Sequence, residues 1–223
     1  MVARRVEIKE VVQPDAADDW ELVFAWRGGD ARAGDRLADR YFSSLLRFFV
    51  NKVRNIDDAG ELVSETFLGC TAGLQRVSSR GSFRSYLFAI ALNKLRGYYR
   101  TQAKRDRELD DFAEICVDAS LGRSPSAVVA HAQEVQLLVR ALRRLTLAQQ
   151  IVIELRYCED LRSRDIAELL GVPRPTVGTH LRRGKQRLET IIEELADNPS
   201  LAASTLMGLE TWARGVRAAI ARE

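Results

Sequence analysis

The sequence predicts an all-α protein: two small helical domains joined by a flexible linker, with a helical extension at the C-terminal end. Three observations predict it. Apolar residues recur at helical spacing in both halves. No stretch shows the alternation of a strand. A charged, polar segment at 101–126, ending in Gly122-Arg123-Ser124-Pro125-Ser126, separates the two amphipathic halves. With 223 residues, 46% of them hydrophobic, the chain can build two modest cores.

Residues 1–17 mix charge with short apolar pieces and read as a loosely ordered lead-in. Asp18 and Asp19 then offer caps for a helix carrying Leu22, Val23 and Trp26 on one face. Gly28-Gly29-Asp30 stops that helix and starts the next. Leu37, Tyr41, Leu45, Leu46 and Phe49 make 31–54 one long helix or two short ones. A break at 55–58 follows, with Asp57 or Asp58 capping a third helix. Its inward face holds Leu62, Val63, Thr66, Phe67 and Cys70. Residues 77–82 are polar and contain Gly81, which predicts a loop. Phe83, Leu87, Ile90, Ala91 and Leu95 place a helix over 83–99. Beyond the linker, helices are predicted at 127–144 (capped by Ser126), near 147–157, at 163–170 and at 174–195. A break at 197–200 precedes a last amphipathic helix over 201–221.

The bulk numbers exclude several classes. Net charge is only +3, so any case for nucleic acid rests on distribution. Cys70, Cys116 and Cys158 are far apart and odd in number, which argues against a disulfide framework. His131 and His180 stand at no metal-ligand spacing from a cysteine, and no metal or cofactor is predicted. No signal peptide and no bilayer-length apolar run is visible, so the chain reads as cytoplasmic, without membrane insertion. No catalytic residue is expected. The serines lack a nearby histidine in sequence, and the acids of 106–118 fall in the linker.

The sharpest local signal is the run from Ser163 to Leu181. Two short helices meeting at a tight angle need a small residue at the crossing, here Ala167. They also need a left-handed turn residue, here Gly171. Ile166, Leu170, Val172, Val177 and Leu181 pin the pair together. Pro175 suits the first turn of the second helix, where a missing N–H does no harm. That helix carries Arg174, Thr176, Thr179, Arg182, Arg183, Lys185 and Arg187, with no acid among them. In a major groove its first residues would reach base edges and its later cations phosphates. Gly178 and Gly184 are unusual inside a helix and would permit close approach to a backbone.

A helix-turn-helix serves many regulators, and the N-terminal half narrows the field. Asp58-Ala59-Gly60-Glu61-Leu62-Val63-Ser64-Glu65-Thr66-Phe67 resembles the acidic amphipathic helix of bacterial RNA polymerase sigma factors. Gly29-Asp30 with Ala33, Leu37 and Tyr41 is similar to the opening of that family's second conserved region. Phe83, Tyr86, Leu87, Ile90, Ala91 and Asn93 are similar to its promoter-reading helix. Residues 145–188 resemble its fourth region. The order of these pieces, with a variable linker and no intervening domain, resembles the small extracytoplasmic-function (ECF) type of the sigma-70 superfamily. The chain departs from the usual family pattern, which has tryptophan where Tyr86 stands, a glutamate near Gly60 and an acidic residue near Gly97.

The resemblance implies a region 2-like bundle at 18–100, a linker at 101–126, a region 4-like helix-turn-helix domain at 127–195 and an extension at 196–223. It implies that Asp58, Glu61, Leu62, Ser64 and Glu65 dock on core RNA polymerase. Glu61 and Glu65 share one helical stripe, suited to pairing with arginines. It implies that Arg80, Arg84, Tyr86, Asn93, Arg96 and Arg100 meet minus-ten promoter DNA, with the polar loop 76–82 capturing an unstacked base. Arg174, Pro175, Thr176, Thr179, Arg182, Arg183 and Lys185 would meet minus-thirty-five DNA. An anti-sigma protein is a further partner that the family suggests. The apolar side of 196–223 either packs on the C-terminal domain, binds a regulator, or stays poorly ordered. The rival function is a helix-turn-helix regulator that binds duplex DNA without polymerase.

Overall fold

The computed structural model describes residues 16–73, 75, 82–105 and 129–207. The expectations for 1–15, for most of the loop at 74–81, for 106–128 with the Ser126 cap, and for 208–223 lie outside those residues. The described elements are α1 (Ala16–Arg27), α2 (Ala31–Val50), α3 (Ile56–Gly73), α4 (Phe83–Arg105), α5 (Val129–Leu142) and α6 (Leu147–Ile153). A π-helical turn (Glu154–Cys158) extends α6, and α7 (Ser163–Leu170), α8 (Arg174–Leu195) and α9 (Pro199–Met207) complete the described chain.

Local chemistry explains most boundaries. Gly29 takes φ +102, which ends α1. Asp30 then caps α2 by accepting a bond from the Arg32 N–H. The expected acidic cap of α3 is instead Asn55, whose Oδ1 accepts from the Asp58 N–H at 2.7 Å. Asp57 and Asp58 sit in the first turn, where their charge complements the helix dipole. Asp19 is likewise not a cap. It is buried inside α1 and accepts from Arg40 and from the Tyr41 hydroxyl. A short charged side chain at this position suggested a cap, but two donors on α2 claim it. Helix α4 runs on to Arg105, into the segment expected to be linker, because charge composition alone does not stop a helix.

The four N-terminal helices enclose an aromatic core. Phe83 packs edge-on to Trp20 and Tyr41, and Phe48 packs edge-on to Phe49 and Phe88. Each such ring is buried and contributes on the order of 2 kcal/mol through apolar burial. Glycines set two close approaches. A Cβ at Gly34 would fall 2.6 Å from the Trp26 indole, and one at Gly73 would fall 2.2 Å from the Tyr86 hydroxyl.

In the C-terminal half, Thr146 caps α6, and α6 and α7 pack on α8. Gly184 lets α6 approach α8: a Cβ there would meet Ile153 Cδ1 at 2.9 Å. A second apolar core joins Leu138, Leu142, Leu145, Leu188, Ile191 and Ile192 with Ala202 of α9. The first part of the extension therefore packs on the C-terminal half. Helix α9 begins at Pro199, within the segment expected to break the chain, and the Asn198 side chain caps it through the Leu201 N–H.

The two halves also touch. The N-terminal core continues without interruption into Leu147, Ile151, Val152, Leu155, Ile166, Ala167 and Val177.

Candidate nucleic-acid interface

The helix-turn-helix has the predicted geometry. Ala167 is buried at the crossing, and Gly171 takes φ +70. The Gly171 and Val172 N–H groups both donate to the Ala167 carbonyl, closing the C-terminus of α7. Pro175 lies in the first turn of α8. Val177 is fully buried and Leu181 partly so, which fixes the rotation of α8. That rotation leaves Arg174, Pro175, Gly178, Arg182 and Arg183 at the surface. Among the described residues no ion pair engages Arg174, Arg182 or Arg183. Thr176 and Thr179 are half-buried at the edge of the same face, and Thr179 returns its hydroxyl to the Pro175 carbonyl. Lys185 turns away, with its ammonium 5.6 Å from the centre of the Tyr157 ring. Arg187 pairs with Glu194 at 3.7 Å.

On α3 the outward face is acidic at its start and apolar at its end. Glu61 and Ser64 are exposed, and Glu65 pairs with Lys94 at 3.2 Å. Asp58 is half-buried and accepts from the Tyr98 hydroxyl at 2.8 Å. Leu62, expected on this face, is only 5% exposed and belongs to the core. One residue of helical rotation separates it from its charged neighbours. The exposed apolar residue of this face is Leu68, at 69% exposure and one turn beyond Ser64. Its seven-residue spacing from Glu61 is the sequence signal that marks it.

The residues expected on minus-ten DNA behave differently. Asn93 and Arg100 are exposed on α4, and Arg80 lies outside the described residues. Tyr86 is half-buried against Phe83 and Gly73. Arg84 stacks over the Tyr41 ring and donates to the Glu159 carboxylate at 3.3 Å. Arg96 bonds Asn93 and donates to the Leu170 carbonyl at 3.2 Å, at the C-terminus of α7. Two cations of the N-terminal face are thus held by the C-terminal half.

The polar groups that join the halves carry no motif in the sequence. Lys52 is fully buried and donates to Glu154 at 2.6 Å and to the Phe48 carbonyl at 2.8 Å. Burial lowers its pKa, and the nearby Glu154 carboxylate only partly offsets this. Arg47 and Arg84 both donate to Glu159, which is buried. Gln150 Nε2 donates to the Asn51 carbonyl at 3.2 Å. Cys70 and Cys158 are buried free thiols, each pushed up to about 12 by burial, as suits packing residues. Among the described residues no His, Cys, Asp and Glu side chains gather as metal ligands, and no helix is long and apolar enough to cross a membrane.

A turn glycine, a small crossing residue and an exposed acid-free basic face define a helix-turn-helix DNA-binding protein with a second helical module before it. Residues 37–105 match sigma-70 region 2, and residues 136–188 match sigma-70 region 4. The chain belongs to the sigma-70 family, in its extracytoplasmic-function group, and serves promoter-specific initiation of transcription. It is 24% identical over 183 residues to the ECF RNA polymerase sigma-E factor of Haemophilus influenzae, covering 79% of this chain and 96% of that one. It is 28% identical over 182 residues to the ECF sigma factor BldN of Streptomyces coelicolor, covering 81% and 68%. Its fold is similar to that of CnrH solved with the cytosolic domain of CnrY, at TM-score 0.57 and 20% identity, covering 82% of this chain and 100% of that one. The sigma factor RpoE of Bartonella quintana, solved with the anti-sigma factor NepR, is also similar, at TM-score 0.57 and 18% identity, covering 73% and 98%.

Proposed function

We propose that the family's work is divided between two surfaces of this chain. Residues 18–100 dock on core polymerase and read minus-ten DNA, and residues 127–195 read minus-thirty-five DNA. The observation that carries this is the separation of charge. Exposed acids stand on α3, and exposed cations without acids stand on the first turns of α8. Glu61, Ser64 and Glu65, with Leu68 as apolar anchor, meet a basic helical surface of the polymerase. Arg174 and Thr176 sit where an N-terminal turn reaches base edges, while Arg182 and Arg183 meet phosphates. Arg84, Asn93, Arg96 and Arg100 provide the donors for opened DNA, with Tyr86 as ring edge. The chain needs no chemistry of its own, because the polymerase makes the phosphodiester bonds. It works in the cytoplasm, where core polymerase is. An anti-sigma protein belongs to this reading, since the similar Bartonella quintana sigma factor was solved with one.

The test is association with core polymerase. Reversing the exposed Glu61 to arginine, with Glu65 left paired to Lys94, lowers core affinity by about tenfold without altering the thermal melt, on the scale of one charged pair. Unchanged association would overturn the docking assignment. Gel-shift of the wild-type chain with and without core enzyme separates this reading from an ordinary repressor, which binds duplex tightly alone.

A further inference from the structure

Helix α8 carries a glycine that its own packing does not require. Glycine weakens a helix interior, so its presence there asks for a reason. Gly34, Gly69, Gly73 and Gly184 have one: at each, an added Cβ would meet a neighbouring side chain at under 3.0 Å. At Gly178 nothing lies within 4 Å, and the residue is exposed. Its surroundings on the helix surface supply a reason from outside the chain. Helical spacing puts Arg174, Pro175, Gly178, Thr179 and Arg182 on one face, with Gly178 at the centre. Arg174 and Arg182 are exposed, engage in no ion pair among the described residues, and stand about 12 Å apart along the axis. Between them the face is apolar. Pro175 has no N–H to give. The Thr179 hydroxyl donates to the Pro175 carbonyl at 3.0 Å, so its proton is used within the helix. The backbone groups of Gly178 belong to the helical ladder. The result is a shallow carbon-lined dent, floored by the Gly178 Cα and flanked by two cations.

The chemistry of the dent selects what fills it. A nitrogen or oxygen of a base edge pressed there would lose water and gain no partner, which is costly. A carbon group loses nothing. In the major groove the apolar group that a base pair presents is the C5 methyl of thymine. We propose that Gly178 is a specificity-determining residue, and that the dent it forms with Pro175 and Thr179 receives a thymine methyl of the duplex read by α8. This rests on the assignment of α8 to minus-thirty-five DNA and deepens it. The missing side chain lets the helix backbone reach contact with the base, and a Cβ at Gly178 would occupy the place of the methyl. Arg174 and Arg182 fix the register on either side.

The experiment uses the full-length chain bound to core polymerase. The wild-type complex selects a duplex from a randomised pool. That duplex is then resynthesised with each thymine replaced in turn by deoxyuridine, which lacks only the C5 methyl. Fluorescence anisotropy reads the affinity of wild type and of Gly178→Ala for each duplex. One thymine is expected to matter differently to the two proteins. Its replacement weakens wild type about fourfold, the weight of one buried methyl. In Gly178→Ala, affinity for the thymine duplex falls about tenfold, and the same replacement restores part of the loss. The melting temperature of Gly178→Ala stays at or above the parent's, since alanine clashes with nothing in the chain. If every uracil replacement acts alike on both proteins, the methyl pocket is wrong. If Gly178→Ala binds the thymine duplex as tightly as wild type, the close approach is wrong. Arg174→Ala with Arg182→Ala isolates the underlying assignment: unchanged affinity and salt dependence there would remove α8 from the duplex altogether, whatever uracil does.

Discussion

The two surfaces proposed to meet DNA differ in how they are held. The basic face of α8 is complete within one small module: Gly171 sets the turn, Ala167 the crossing, Val177 the rotation. Arg174, Arg182 and Arg183 stand in solvent with no ion-pair partner among the described residues. The face of α4 is composite. Arg84 and Arg96 point toward the other half of the chain, and their availability depends on where that half sits. The first surface is fixed by local folding and the second by contacts between residues distant in sequence. Substitutions on α8 should therefore act through DNA alone, while those on α4 carry two opposed effects.

The largest effect is expected on α8. Changing Arg174, Arg182 and Arg183 together to alanine should weaken promoter binding by the polymerase complex about a hundredfold or more. The slope of log affinity against log salt should flatten by about one unit for each phosphate that is no longer neutralised. Filter binding across a salt series checks both, and an unchanged slope would remove these residues from the interface. The thermal melt should not move, since all three side chains lie at the surface outside the core.

On α4, Arg84→Ala should slow promoter opening by the assembled enzyme about tenfold, which is the removal of one charged interaction of about 1.4 kcal/mol. Permanganate footprinting of unpaired thymines follows the step. The same substitution in the free chain should loosen the contact between the halves, because Glu159 is left with one of its two cations. A variant that slows opening in the complex while loosening the free chain would establish the double role.

This contrast also explains what is legible in the sequence. Helices at 163–170 and 174–195 are readable to the residue, because glycine, proline and apolar spacing encode them within a few turns. The seam between the halves is not readable. Lys52 follows Phe48, Phe49 and Val50, an apolar run that hints at burial, but its partner Glu154 lies 102 residues away. Glu159 and Arg47 look like ordinary surface charges for the same reason. Asp19 reads as a cap because its partners, Arg40 and Tyr41, are on the next helix. On α3 the periodicity is right, but the docking face was expected to include Leu62, which faces the core, and not Leu68, which faces out. Hydrophobicity alone does not say which leucine a functional face keeps.

Alkaline pH should destabilise both regions through their buried thiols. Burial pushes both thiols up to about 12, Cys70 in the N-terminal core and Cys158 on the π-helical turn. At these two groups the folded state therefore binds more protons than the unfolded state between the ordinary thiol value near 9 and that raised value. The stability these thiols contribute is full below about pH 9 and is lost as pH rises toward about 12. Differential scanning calorimetry from about pH 8 to about pH 10.5, a window that spans the unfolded thiol's titration, should show Tm falling. Cys70→Ala and Cys158→Ala should each reduce the steepness of the fall. Equal slopes in all three proteins would mean that the thiols titrate no differently on folding.

The smallest effect concerns Gly60 on the proposed docking helix. No atom lies within 4 Å of a Cβ placed there, and the residue sits in the second turn of α3. Alanine should therefore stabilise the helix by up to about 1 kcal/mol through propensity alone. In this chain the gain should appear as a rise in Tm of a few degrees. It should leave α8 untouched, so affinity for minus-thirty-five duplex should not change. Core affinity separates two reasons for a glycine here. If Gly60→Ala binds core polymerase as well as or better than the parent, the glycine is merely tolerated on a solvent face. If stability rises while core affinity falls, the polymerase approaches this turn too closely for a methyl group, and the acidic face of α3 extends back from Glu61 to include its backbone.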